Sequence, residues 1–126
     1  ELGETGEAKV DICANSRYRM WINERPVLSG PCRSDQNRQY YETVDVGSFF
    51  HMGKNVIAVQ VLLCDSMYTP NCFDERAPLV SVETLPAGHR LSLEGAVKNA
   101  AGEVMADLTT GEADWRVCGR KSGSFD

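Results

Sequence analysis

Hydrophobic and polar residues alternate along much of this 126-residue chain, with the period of two that is typical of β-strands. Ala8, Val10 and Ile12 alternate with Lys9 and Asp11 near the N-terminus. The same alternation recurs in three later segments, whose apolar positions are Tyr18, Met20 and Ile22, then Leu91, Leu93 and Val97, and finally Val104, Ala106 and Leu108. Because successive side chains of a strand point to opposite faces, each segment is predicted to be a strand with one face on a core.

One segment, residues 55–63, is almost wholly apolar and rich in β-branched residues, which favours a central strand. Its core-facing side is predicted to carry Ile57, Val59 and Val61. Turn-forming residues separate the segments, and the best helical candidate, Val46 to Met52, allows one turn at most. The pattern predicts an all-β fold, an antiparallel β-sandwich or barrel of at least seven strands, with no helix longer than about two turns.

Size, composition and charge narrow the class of protein. A mass of 13.9 kDa, with 42% hydrophobic and 25% charged residues, predicts that residues 1–126 form one globular module. No run approaches the roughly 18 apolar residues of a membrane span, so no membrane partner is expected. The net charge of −5 disfavours nucleic acid as a partner, because phosphate recognition needs a basic surface. The oligomeric state is left open.

The sequence carries no catalytic motif. Carboxylates lie in or beside the middle loops, but nothing marks two of them as the acid–nucleophile pair of a glycosidase. Cys32 precedes Arg33, which would favour a thiolate, yet neither His51 nor His89 is placed near Cys32 by the sequence. We therefore expect no enzymatic activity from this chain.

The five cysteines show no C-x-x-C spacing and so predict no zinc site. Cys64 and Cys72 bracket a loop of seven residues and are the pair best placed by sequence to form a disulfide. A secreted or periplasmic location is expected, and the cysteines leave a cytoplasmic one open, since a reducing compartment would keep both thiols free.

Carbohydrate binding is the chemistry that the aromatic residues favour. The C–H faces of sugars stack on aromatic rings, while sugar hydroxyl groups pair with neighbouring polar side chains. Trp21 has the polar parity of its strand and lies beside Arg19, and Tyr68 lies in a loop. Tyr40 and Tyr41 are adjacent, so one of them is expected to face the core. The alternative for each ring is packing against a loop or a neighbouring domain.

Five blocks of residues, taken together, resemble a known family. They are Arg17-Tyr-Arg-Met-Trp-Ile-Asn23, Gly30-Pro-Cys-Arg-Ser-Asp35, Gln39-Tyr-Tyr-Glu-Thr-Val-Asp-Val46, Gly53-Lys-Asn-Val-Ile-Ala-Val59 and Asp114-Trp-Arg-Val117. In this order, across about residues 8 to 118, they resemble the galactose-binding-like jelly-roll modules in the N-terminal region of bacterial α-L-rhamnosidases and related large glycoside hydrolases. The resemblance implies a jelly-roll accessory module, with hydrolysis assigned to a separate (α/α)6-barrel domain. Residues 1–7 hardly supply the strand that usually comes before Ala8, which favours an excised or partial module.

The resemblance implies a glycan or the parent enzyme's catalytic domain as partner. Some related modules bind rhamnose or other sugars, in certain cases through a calcium ion, whereas others only pack on the catalytic domain. No residues match the calcium-dependent sugar site, so no metal ligand is carried over and no cofactor is expected. Asn23-Glu24 stands where the family commonly has Asn-Gly, which leaves the type of this turn open.

A glycan site is expected at one end of the sandwich, where the loops Pro31 to Tyr41 and Cys64 to Phe73 can converge. The candidate carbohydrate-binding residues are Trp21, Arg33, Asp35, Arg38, Tyr40, Asp65 and Tyr68. The polar block from Gly30 to Tyr41 is interpreted first as an Arg–Asp latch that shapes its loop, with a glycan site as the alternative. A docking module would instead hold Trp21 in an exposed apolar patch with no cleft beside it.

Overall fold

A computed structural model describes residues 1–14, 17–31, 40–62 and 90–119 of the chain. They form seven strands and one short 3-10 helix: β1 (Glu7–Ala14), β2 (Arg17–Ile22), β3 (Arg25–Gly30), β4 (Glu42–Asp45), the 3-10 helix (Gly47–Phe49), β5 (Ile57–Leu62), β6 (Leu91–Lys98) and β7 (Val104–Asp107). The prediction of at least seven strands is confirmed, and the 3-10 helix lies inside the segment predicted to allow one helical turn.

The strands form two antiparallel sheets. One has four strands in the order β4-β1-β6-β7, and the other has three strands in the order β3-β2-β5. Residues from both sheets share one hydrophobic cluster, so the sheets pack face to face. The predicted all-β sandwich is confirmed at this level, and its jelly-roll connectivity stays a prediction.

The core follows the predicted alternation. Its most buried side chains come from alternate positions of β1, β2 and β6, together with Val46: Val10, Ile12, Met20, Ile22, Leu93 and Val97. Ile57, Val59 and Val61 are half-buried and pack on this cluster, so their predicted core-facing side is confirmed. Among the described residues β5 pairs with β2 alone, and its central position stays a prediction.

One end of the sandwich holds the strand ends that lie nearest in sequence to residues 15–16, 32–39 and 63–89. The strand register places Ala14 opposite Leu91 and Arg17 opposite Leu62. Tyr18 lies opposite Gly30, and its hydroxyl donates a 2.6 Å hydrogen bond to Glu42 of the facing sheet. We call this the loop end.

The opposite end is closed by tight turns, and we call it the turn end. Asn23 and Glu24 join β2 to β3 with φ angles of +50° and +66°. Positive φ at both central residues is the signature of a type I′ turn, the two-residue connection whose twist matches that of the flanking strands. The structure thus fixes the turn type that the sequence left open, although Glu24 stands where glycine would adopt this conformation without strain.

The predicted disulfide between Cys64 and Cys72 lies outside the described residues. Within the described ranges neither Cys13, half-buried on β1, nor Cys118, which is exposed, forms a disulfide. The described part of the chain contains no helix that is long and apolar enough to cross a membrane.

Candidate functional site

The structure separates the two predicted sugar-binding aromatics that it describes. Tyr40 lies at the loop end, two residues before β4. Trp21 lies on β2, three residues beyond Tyr18 toward the turn end, a distance of about 10 Å along a strand. The other five candidates, Arg33, Asp35, Arg38, Asp65 and Tyr68, lie outside the described residues.

Both tyrosines at the loop end are exposed. Tyr40 is 50% and Tyr41 64% exposed, so the expectation that one of them faces the core is wrong. Two residues in extended conformation ahead of β4 would alternate between faces, but β4 begins only at Glu42, and Tyr40 and Tyr41 precede it outside regular structure. They therefore form an aromatic pair at the end where the sequence placed a glycan site.

Trp21 lies on the outward side of the three-stranded sheet. Tyr18, Met20 and Ile22 of β2 are buried in the core, and the strand's alternation turns Arg17, Arg19 and Trp21 away from it. The cross-strand neighbours of Trp21 are Pro26 on β3 and Ala58 on β5. The indole is half-buried, because these small side chains cover only part of it.

The two arginines extend this surface along β2. Leu62 lies opposite Arg17, while Arg19 lies between Ser29 and Gln60. We name the outward residues of β2 and β5 the Trp21 face: Arg17, Arg19, Trp21, Ala58, Gln60 and Leu62. Within the described ranges the one ion pair joins Arg116 to Asp114, so neither arginine of the Trp21 face has a carboxylate within 4.0 Å there.

A shallow groove of about 720 Å³ lies on the outward side of the other sheet. Its lining includes Gly95 and Ala96 together with six charged residues: Glu7, Lys9, Asp45, Glu94, Lys98 and Asp107. None of the described residues that line it is aromatic, so this part of the chain gives the groove no ring on which a sugar could stack.

Two carboxylates of this groove hold turns in place. Asp45 accepts a 3.0 Å hydrogen bond from the backbone N–H of Gly47. Asp107 accepts one of 2.9 Å from the N–H of Thr109. Hydrogen bonds from the Thr109 backbone and side chain lower the pKa of Asp107, because they stabilise its charged form.

The described ranges contain no ligand set for a calcium ion. No three His, Cys, Asp or Glu side chains of those residues gather closely enough to hold a metal ion. Cys13 is a poor nucleophile at neutral pH, because burial, with a smaller contribution from the negative charge of Glu42, raises the pKa of its thiol.

The chain matches no protein-family model, no curated protein and no solved structure. The resemblance to rhamnosidase modules therefore stays a prediction. The function is inferred from the contacts and exposure of the described residues.

The sequence interpretation passed over Arg17, Arg19 and Tyr41 as site residues. The sequence pattern could have identified the two arginines, because they occupy the alternate positions of β2 that lead to Trp21. The three strands of their sheet also contain no acidic residue. Tyr41 was not named as a site residue, and the expectation that one of the two adjacent tyrosines faces the core rested on an alternation that does not extend to them.

Proposed function

We propose that this chain is a non-catalytic accessory module that binds carbohydrate, of the kind found beside the catalytic domain of rhamnosidase-type glycoside hydrolases. The observation that supports this proposal is the half-exposed indole of Trp21 on an open sheet face, with hydrogen-bonding side chains on the same face. An aromatic surface for the sugar's C–H groups and donors for its hydroxyls are the two requirements of sugar recognition.

The neighbours of Trp21 meet these requirements from two sides. Arg19 carries guanidinium donors on the same strand face, and Gln60, opposite Arg19, provides both a donor and an acceptor. The surface is open and small, so binding recovers little beyond the entropic cost of association. We expect dissociation constants between about tens of micromolar and the millimolar range.

A second candidate function, docking on a catalytic domain without sugar binding, is favoured by a different observation. The side chains opposite Trp21 are Pro26 and Ala58, both apolar, and Leu62 on the same face is 41% exposed. Neighbouring exposed apolar side chains of this kind are what a packing surface on another domain would offer.

Intrinsic fluorescence can test sugar binding at Trp21 alone. The chain has two tryptophans, and Trp115 is a structural residue whose indole N–H donates a 3.0 Å hydrogen bond to the carbonyl oxygen of Leu108. In a Trp115→Phe variant the emission reports Trp21 only. Titration with rhamnose-containing and other plant or bacterial oligosaccharides should give a saturable change in that emission.

Two matched variants distinguish the alternatives. In a Trp21→Ala variant, followed by calorimetry, binding should be lost, whereas a Tyr40→Ala variant should keep it if the site is the Trp21 face. Loss in Tyr40→Ala with retention in Trp21→Ala would move the site to the loop end. No response to any glycan at roughly ten millimolar would leave docking as the better account.

A further inference from the structure

Charge is divided unequally between the two sheets. The strands of the three-stranded sheet contain three arginines and no acidic residue, whereas those of the four-stranded sheet contain six carboxylates and two lysines. The whole chain has a net charge of −5, so the positive charge of these three strands is opposite in sign to that of the molecule. A local positive field on an acidic protein favours anionic ligands at that surface.

The three arginines of this sheet differ in the contacts that their guanidinium groups make with other described residues. Arg25 lies at the turn end, where its guanidinium is 4.6 Å from the ring centroid of Phe49 and donates to the carbonyl oxygen of Ser48. Arg17 and Arg19 have no such contact among the described residues, and they are exposed. Their forked donors are therefore available to a ligand.

The strand fixes how these groups are spaced. Alternate residues of a strand lie about 6.6 Å apart on one face, so Arg17, Arg19 and Trp21 form a line along β2. An indole at one end of the line can stack on a sugar ring, and guanidinium groups along it can pair with carboxylates in bidentate geometry. The line therefore offers one stacking surface and two carboxylate-binding groups to the successive sugars of an acidic chain.

We propose that the Trp21 face binds an acidic glycan, with Trp21 stacked on a sugar ring and the guanidinium groups of Arg17 and Arg19 paired with uronate carboxylates. This inference rests on the proposed sugar-binding function and specifies its ligand class. A sparsely charged glycan suits the face better than a dense polyanion, because β2 places two arginines on it and the overall negative charge of the chain repels strong polyanions.

The test compares trigalacturonate with its fully methyl-esterified form, in which each carboxylate is replaced by an uncharged methyl ester, by calorimetry at low and at high salt. Trigalacturonate should bind more tightly, and the difference should shrink as salt screens the exposed charges. A double Arg17→Gln, Arg19→Gln variant should lose roughly two- to fivefold in affinity per arginine for the acid and bind the ester unchanged.

A matched double variant, Lys9→Gln with Lys98→Gln, removes the same charge from the other sheet and should bind both ligands like the original chain. Thermal melting of both doubles checks that they fold. Equal binding of acid and ester would overturn the acidic-glycan inference and leave sugar binding intact, and no binding of either would count against both. An equal loss in the lysine variant, or displacement by a short DNA at the same charge concentration, would also overturn the inference.

Discussion

The side-chain amide of Asn23 donates a hydrogen bond to the side-chain oxygen of Asn55, 2.8 Å away. The same nitrogen donates to the carbonyl oxygen of Phe49, and the side-chain oxygen of Asn23 accepts from the backbone N–H of Val56. Asn55 in turn accepts from the N–H of His51 and donates to its carbonyl oxygen. The two asparagines thus join the β2–β3 turn to the segment before β5, and they fix the turn end from which the Trp21 face extends.

Removal of the Asn55 side chain should destabilise the fold. An Asn55→Ala variant leaves the N–H of His51 without this acceptor and the amide of Asn23 with the carbonyl oxygen of Phe49 alone, and we expect a loss of about 1 to 2 kcal/mol in the free energy of unfolding. Urea denaturation measures this as a lower midpoint at an unchanged slope.

The neighbouring Lys54→Ala variant is the control for Asn55→Ala. Lys54 is exposed, so its replacement should change the unfolding free energy by less than about 0.5 kcal/mol. Equal stability of the two variants would show that the asparagine pair contributes nothing.

Replacement of Glu24 by glycine should stabilise the protein. Glu24 adopts a φ of +66°, which costs a residue with a Cβ about 1 kcal/mol and costs glycine nothing. Because glycine also gains entropy in the unfolded chain, we expect a net gain of about 0.5 kcal/mol, seen as a higher melting temperature. Glu24→Ala removes the same charge but keeps the Cβ, so it should bring no gain; if both variants melt alike, charge and not backbone conformation is responsible.

Cys13 should react with alkylating reagents more slowly than Cys118. Burial, and then the negative charge of Glu42, raise the pKa of the Cys13 thiol, so less thiolate is present at a given pH, and reaction becomes fast only as the pH rises toward the raised value. Iodoacetamide labelling over a pH series, read by peptide mass spectrometry, follows each cysteine separately.

A Glu42→Gln variant should speed the labelling of Cys13 at a fixed pH, because it removes a neighbouring negative charge and so lowers the pKa of the thiol. The amide still offers an oxygen to the hydroxyl of Tyr18, which limits the damage to the fold. Cys118, exposed and free, is the internal reference and should react at an unchanged rate. Labelling of Cys13 as fast as Cys118 throughout the pH series would contradict this account.

The sequence predicted those features that depend on local alternation. The faces of β1, β2 and β6 follow from period-two patterns, because a strand turns every second side chain to the same side. The Asn23–Asn55 hydrogen bond could not be predicted this way, since it joins residues 32 positions apart. The alternation along β2 predicted that Trp21 lies on an outward face. It does not indicate in which sheet a residue lies or at which end, so the sequence analysis placed Trp21 and Tyr40 in one candidate site.

Amide and indole chemical shifts of a ¹⁵N-labelled sample, titrated with trigalacturonate, test most directly whether the Trp21 face binds a glycan. We expect saturable shifts at the indole N–H of Trp21 and at the amides of Arg19 and Ala58. The amide shift of Lys9 in the groove should change little. Shifts confined to Tyr40 and Tyr41, or no shift up to roughly ten millimolar ligand, would contradict glycan binding at the Trp21 face.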